Sequence, residues 1–335
     1  MKHAIVITTI FEPSEAVQAY AGLCDRQLIV VGDKKTPADW ACEGVDYLSV
    51  ERQGLVGPDL AKVLPYNHYC RKMFGYLMAA QSGADVVIDT DDDNYPKSNW
   101  GFPAFDGAFA AIGDKQGFVN IYQWFTDAPI WPRGLPLDLI TTTFDFDNAQ
   151  SIHKCKVGVW QGLADDDPDV DAIYRLTSDQ PCFFDERQPL VLSEGTVCPF
   201  NSQNTATRKE LFPLLYLPAY VTFRFTDILR GLVAQPIMWL YGYTLGFTQA
   251  TVVQKRNLHD YMKDFSSEIP MYLNCRKVLE TVSASISASE SLESNLHKAY
   301  SSLLLEGIVC DDEMGSLEAW LSDLQRISTD IRSFS

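Results

Sequence analysis

This 335-residue sequence lacks several common features, and each absence closes a class of function. It has no run rich in Lys and Arg, and 27 basic residues face 44 acidic ones, for a formal charge of −17. Such a chain repels phosphate backbones and anionic membrane surfaces, so no nucleic-acid partner is expected. An anionic small ligand would need local cations or a bound metal. The eight cysteines include no Cys-x-x-Cys pair and have no nearby pair of histidines, which removes a structural zinc site and leaves them as reduced core residues. No Gly-x-Gly-x-x-Gly and no Gly-x-x-x-x-Gly-Lys follows the first apolar run, so dinucleotide and P-loop readings lose their main support.

Long hydrophobic runs are scarce too. Ala4 to Ile7 is too short for a signal-peptide core and reads as a first strand. Gly231 to Val253 carries no charge and is long enough to span a bilayer, but Gln235, Pro236, Gly242, Gly246 and Gln249 interrupt it. That pattern predicts a buried helix followed by a strand, and a cytoplasmic or otherwise soluble chain without a membrane span.

What is present is an ordinary globular composition, 46% hydrophobic and 21% charged. Lys2 to Thr9 reads as a strand, Pro13 to Gly22 as a helix capped near Ser14, and Gln27 to Val31 as a second strand ending at Gly32-Asp33. Asn67 to Ser82 has helical spacing, with Gly83 as its stop, and Val86 to Ile88 is a buried strand. This alternation predicts an α/β fold with a mainly parallel central sheet. After Phe265 the composition turns to Ser, Glu and Leu at helical spacing, which predicts a helical C-terminal extension over 266–335 behind a main domain over 1–265.

The strongest chemical signal follows the buried strand: Asp89-Thr90-Asp91-Asp92-Asp93-Asn94. Carboxylates at the C-terminal end of a strand lie where open α/β sheets bind ligands. Three adjacent Asp side chains repel one another, so a divalent cation or a cationic cluster must compensate them. Hard oxygen ligands that leave positions open suit Mg2+ or Mn2+ bridging to substrate phosphates. The bland alternative is a solvated acidic turn. A second cluster, Asp165 to Asp169, reads as a turn and helix start or, through Asp166, as a hold on an acceptor hydroxyl.

Several separated motifs then occur in one order: Ile7-Thr8-Thr9-Ile10-Phe11-Glu12-Pro13, Phe74-Gly75-Tyr76-Leu77, the acidic strand end, Ile130 to Leu137, Gln161 to Ala172 and Pro199 to Thr205. In these the sequence resembles the STELLO-type glycosyltransferase-like proteins over roughly residues 1 to 265. More distantly it is similar to the reversibly glycosylated polypeptides, the UDP-arabinopyranose mutases, through the triple Asp, Cys70 to Tyr76 and Arg133-Gly134, where the Arg-x-Gly spacing is one residue short.

Both resemblances imply a GT-A-like nucleotide-sugar-binding fold, a UDP-sugar donor and Mn2+ or Mg2+. They imply Asp91 near ribose and metal, Asp93 as a metal ligand and Asp92 behind them. Thr8, Thr9, Phe11 and Asp33 would hold uracil and ribose, and Arg71 would approach the diphosphate. His259, after the last strand, would complete the metal site; a lone histidine is otherwise structural or exposed. Asp227 matches an acid of the mutases and a general-base position of inverting transferases, against a helix N-cap as its rival. Arg133 would be either the glycosylated residue of a mutase or a contact to phosphate or acceptor, against a surface turn residue. The expected function is thus a metal-dependent glycosyltransferase with a sugar, glycan or protein acceptor, with a homo-oligomer as its candidate assembly. The alternatives are a pyranose/furanose mutase acting through Arg133, and a non-catalytic scaffold.

Overall fold

The computed structural model describes residues 1–23, 25–113, 117–146, 151–255 and 260–333. Its first half builds a parallel sheet with short helices. β1 (His3–Thr8), α1 (Glu15–Ala21), β2 (Gln27–Val31), β3 (Val45–Leu48), α2 (Val50–Val56), α3 (Leu60–Val63), α4 (Lys72–Gln81) and β4 (Val86–Thr90) follow in turn. Ser14 caps α1 by accepting from the Val17 amide, and Gly83 leaves α4 with φ 74°, as their residue types suggested.

β5 (Asn94–Pro96), β6 (Asp106–Ile112), β7 (Gly117–Phe118), α5 (Tyr122–Phe125), β8 (Ile152–Asp166), α6 (Ala172–Thr177), β9 (Leu190–Leu192), β10 (Thr196–Val197) and β11 (Asn204–Arg208) come next. The uncharged run resolves into α7 (Thr226–Leu240) and β12 (Thr244–Gln254), the buried helix and strand that its interruptions predict. Among the described residues no helix is long and apolar enough to cross a membrane. Three helices close the chain: α8 (Tyr261–Ser285), α9 (Leu292–Leu305) and α10 (Asp311–Ser333). The boundary expected after residue 265 falls inside α8.

The main sheet runs β3-β2-β1-β4-β11-β8-β6-β9-β12-β5, with β8 also pairing β12. The first four strands are parallel, as the βαβ pattern requires; from β11 onward parallel and antiparallel pairs mix. β8 is long enough to pair β6 through its first residues and β12 through its last, so β8, β6, β9 and β12 close a small ring of pairings. Such ring closure follows from strand length and twist rather than from any local signal.

The parallel strands β1, β2 and β4 are buried on both faces and alternate between two apolar layers. In β1, Ala4 and Val6 join the layer under α4 and α7, while Ile5 and Ile7 join the layer with Val17, Tyr20, Trp100 and Trp160. α4 lies close on the sheet because residue 75 is glycine: a Cβ there would stand 2.4 Å from Val6 Cγ1. The C-terminal helices cover the same face, α8 and α9 against α7, and α10 against α3 and α4. Of the described cysteines, Cys70, Cys182, Cys198 and Cys275 are buried and none is disulfide-bonded.

Candidate functional site

A cleft of about 310 Å³ opens over the C-terminal ends of β1, β2 and β4, near the lower limit of small-molecule sites. It is lined by Thr8, Thr9 and Phe11 from the first βα turn, Asp33 after β2, Arg71 before α4 and the three acids Asp91, Asp92 and Asp93. From the facing wall come Arg133, Asp169, Asn201, Arg224 and Asp227. The fold therefore gathers into one cleft nearly every residue singled out from the sequence.

Two exceptions stand out. Asp166 does not line the cleft: it ends β8 at φ 73°, its amide and carbonyl bridged to Cys182. An acid at a strand end looks alike in sequence whether its side chain faces a ligand or not. His259 lies outside the described residues.

The acidic strand end rests on buried cations. Asp89 is in the core, where Arg230 Nη1 donates to Oδ2 at 2.9 Å, Tyr76 hydroxyl donates to the same oxygen at 2.5 Å, and Lys72 Nζ meets Oδ1 at 2.8 Å. Lys72 Nζ also donates at 2.8 Å to both Asp91 Oδ1 and the Thr90 carbonyl. Burial alone would lower the Lys72 ammonium, but Asp89 and Asp91 hold it above its ordinary value and so charged. Part of the compensation that three adjacent acids demand is thus built in, by a lysine that the sequence reading passed over inside the Cys70 to Tyr76 motif.

The three acids then diverge. Asp91 keeps 37% of its side chain exposed, and burial of the rest raises its carboxyl against the pull of Lys72. Asp92 turns back to accept from Thr9 Oγ1 at 2.5 Å, its carbonyl accepts from Ser14 Oγ, and burial raises its carboxyl as well. Asp93 lines the cleft beside Gln254, whose amide nitrogen lies 3.5 Å from Oδ2.

The nucleotide-side residues are tightly held. Phe11 amide donates to Thr9 Oγ1 at 3.1 Å, and Trp40 Nε1 donates to the Phe11 carbonyl at 3.0 Å, leaving the Phe11 ring about half exposed. Asp33 accepts from the Lys34 and His68 amides. Arg71 is turned away from any free role: its guanidinium donates to Gln53 Oε1 and the Leu64 carbonyl and lies over the Tyr66 and Phe74 rings. His68 Nδ1 accepts from the Cys70 amide, and desolvation lowers the imidazole to about 4, so it is neutral.

The facing wall is a closed ion network. Gly134, at φ 92°, turns the chain after Arg133, which is only 4% exposed. Arg133 Nε and Nη2 donate to the two oxygens of Asp169 at 2.8 and 2.9 Å; Nη1 and Nη2 donate to those of Asp227 at 3.0 Å each. The fifth donor goes to the Arg224 carbonyl. All five guanidinium protons are therefore used within the protein. Asp227 also accepts from the Ser202 and Ile228 amides. Burial alone would raise Asp169, but Arg133, Arg224 and the Asn201 amide bond hold it at about 2. The surface-turn reading of Arg133 is thus replaced by a buried one. Asp169 and Asn201 lay in the runs read from the sequence but were not picked out, Asp166 being chosen instead, because nothing in an acidic run or a polar loop marks which member is buried.

Fold and cleft define an α/β protein with an acidic cleft at the C-terminal edge of its parallel strands. More particularly, a family model described as STELLO glycosyltransferases matches residues 224–334. Two Arabidopsis thaliana proteins, named Probable glycosyltransferase STELLO1 and STELLO2, are 27% and 28% identical over 96% of this chain. The likeness carried by the motifs is thus a likeness of almost the whole chain, including the C-terminal helices. The chain spans 44% of the length of each of these relatives. Among solved structures, a glucosyl-3-phosphoglycerate synthase from Mycobacterium tuberculosis in complex with Mn2+ and UDP-glucose aligns with 82% of this chain and 78% of its own. Identity is 12% and the TM-score 0.41, a similarity too slight to carry weight.

Proposed function

We propose that the chain is a metal-dependent glycosyltransferase that binds a UDP-sugar in this cleft. The observation that carries the proposal is the convergence of the first βα turn, Asp33 and the Asp91–Asp93 strand end on one cavity, at the edge where α/β sheets take ligands. Among the described residues, six carboxylates line that cavity (Asp33, Asp91, Asp92, Asp93, Asp169, Asp227) against three guanidiniums (Arg71, Arg133, Arg224), whose side chains are committed to protein acceptors. A diphosphate entering so negative a site needs an additional cation.

Asp91 and Asp93 fit that cation. Lys72 occupies Asp91 Oδ1 and the side chain stays open to the cleft, while Asp93 lines it from the same turn. Among the described residues no group of three or more His, Cys, Asp or Glu converges to hold an ion alone. Two carboxylates that share Mg2+ or Mn2+ with a diphosphate are the arrangement such ions favour. When bound, the metal would neutralise the leaving diphosphate. Thr9 and Phe11 would then hold the nucleoside, and Lys72 would keep Asp91 aimed while neutralising part of its charge.

In this reading Arg133 and Asp227 shape the wall. Asp227 could act as a base only by giving up bonds from Arg133. The mutase alternative asks more, because a glycosyl bond to Arg133 requires a deprotonated nitrogen. Burial alone would ease deprotonation, but Asp169 and Asp227 hold the guanidinium well above its ordinary value. The test is UDP release from a panel of UDP-hexoses and UDP-pentoses with Mn2+, with intact mass followed in parallel. The proposal expects manganese-dependent release without a sugar adduct, lost in Asp93→Ala. An adduct mapping to Arg133 would establish the mutase instead, and a Mn2+-insensitive chain that neither binds nor turns over any donor would leave the scaffold reading.

A further inference from the structure

Among the described residues, the C-terminal helices bury three carboxylates completely: Glu268 on α8, Glu313 and Asp323 on α10. Two of them serve as anchors outside the cleft. Asp323 accepts from the Asp59 and Leu60 amides at the start of α3, and Glu313 from the Ala219 and Tyr220 amides and the Tyr216 hydroxyl. Glu268 differs in what it joins. Its Oε1 accepts from Arg224 Nε at 2.9 Å, and its Oε2 from the Ala172 amide at 2.7 Å and the Tyr272 hydroxyl at 2.5 Å.

Both tethered segments belong to the cleft wall. Arg224 lines the cavity, its carbonyl accepts from Arg133 Nη1, and its guanidinium stands 4.0 Å from Asp169 Oδ1. Ala172 lies three residues after Asp169 and opens α6, beside the Asp171 cap that accepts from Trp131 Nε1. One carboxylate from a helix outside the sheet thus ties together the loop carrying Asp169 and the segment that carries Arg224 into the first turn of α7, where Asp227 lies. Arg133 then clamps the same two loops from the cleft side.

We propose that Glu268 is a positioning residue for the site: through Arg224 it holds the Asp169–Arg133–Asp227 wall opposite Asp91 and Asp93. The inference rests on the glycosyltransferase reading and gives the C-terminal helices a place in it. Displacing a site wall by an ångström costs on the order of a hundredfold in turnover while leaving much of the ground-state binding intact. Glu268 touches nothing on the strand-end side, so nucleotide binding should survive its loss.

The experiment uses the full chain, Mn2+, UDP for binding and the donor of the panel with the fastest UDP release for turnover. Glu268→Gln keeps the shape and removes the charge that pairs with Arg224. It is expected to lower kcat by about tenfold or more, with the Mn2+–UDP Kd within about twofold of wild type. Arg224→Gln should do the same, and the double variant should be no worse than either single, because both act along one path. Wild-type turnover in Glu268→Gln, or losses that multiply in the double variant, would overturn the proposal. Should Glu268→Gln not fold, Glu268→Asp, which keeps the charge but draws it back from Arg224, decides in its place, with unchanged turnover again overturning the proposal. A wild-type chain that neither binds UDP nor releases it would instead defeat the underlying reading, a distinct outcome.

Discussion

The two walls of the cleft are both acidic, yet they handle charge in opposite ways. On the strand-end wall Asp91, Asp92 and Asp93 follow one another in sequence, and a single buried lysine serves Asp91 from behind. On the facing wall Asp169 and Asp227 lie far apart in sequence and are brought together by one arginine with no donor to spare. The first wall presents its carboxylates to the cleft and suits a ligand that brings cations; the second closes its charges on one another and suits a scaffold. Substitutions on the two walls should therefore fail differently.

Arg133→Ala should have the largest effect. It strands two buried carboxylates, which costs about 3–5 kcal/mol, and denaturant unfolding should register that loss or the chain should not fold. Asp93→Ala should leave the unfolding midpoint near wild type while abolishing Mn2+-dependent UDP binding in a titration. If Arg133→Ala is as stable as wild type, the facing wall is not the scaffold that its geometry indicates.

A pH experiment sharpens the contrast. Asp171, buried at the start of α6, has its carboxyl raised to about 6, chiefly by desolvation. A raised acid contributes stability that is fully present below its unfolded value near 4 and lost as pH rises through about 6. Asn caps helices as well as Asp does, so Asp171→Asn should gain on wild type between pH 4 and pH 7 by on the order of 3 kcal/mol, read as unfolding midpoints at the two pH values. A constant difference would contradict the shift. The smallest effect should come from Ser14→Ala, which removes the α1 cap and a tether on the Asp92 carbonyl. About 1 kcal/mol of stability should go, with a modest loss of UDP affinity measured in the same titration.

The same contrast explains what was legible in the sequence. β1, α1 and β2 announce themselves because short apolar runs, a Ser cap and helical spacing are local, and Asp91–Asp93 were visible because they are contiguous. Arg133 was singled out through the resemblance, but its burial was not legible: between Pro132 and Gly134 it looks like an exposed turn, and only the distant Asp169 and Asp227 make it a buried clamp. Lys72 sat inside a recognised motif, yet helical spacing alone cannot say that its ammonium turns into the core. The mixed half of the sheet was hidden for a related reason, since β8 pairs with β6, β11 and β12 through contacts that no single segment encodes. Glu268 is the extreme case, a polar residue on a serine-rich helix whose partners lie 44 and 96 positions away.

The most direct test of the account is a calorimetric titration of UDP into the wild-type chain and Asp93→Ala, each with and without Mn2+. The account predicts binding by wild type that needs Mn2+ and disappears in the variant, with both proteins equally folded. Binding that ignores both the metal and Asp93, or no binding at all by wild type, would contradict it.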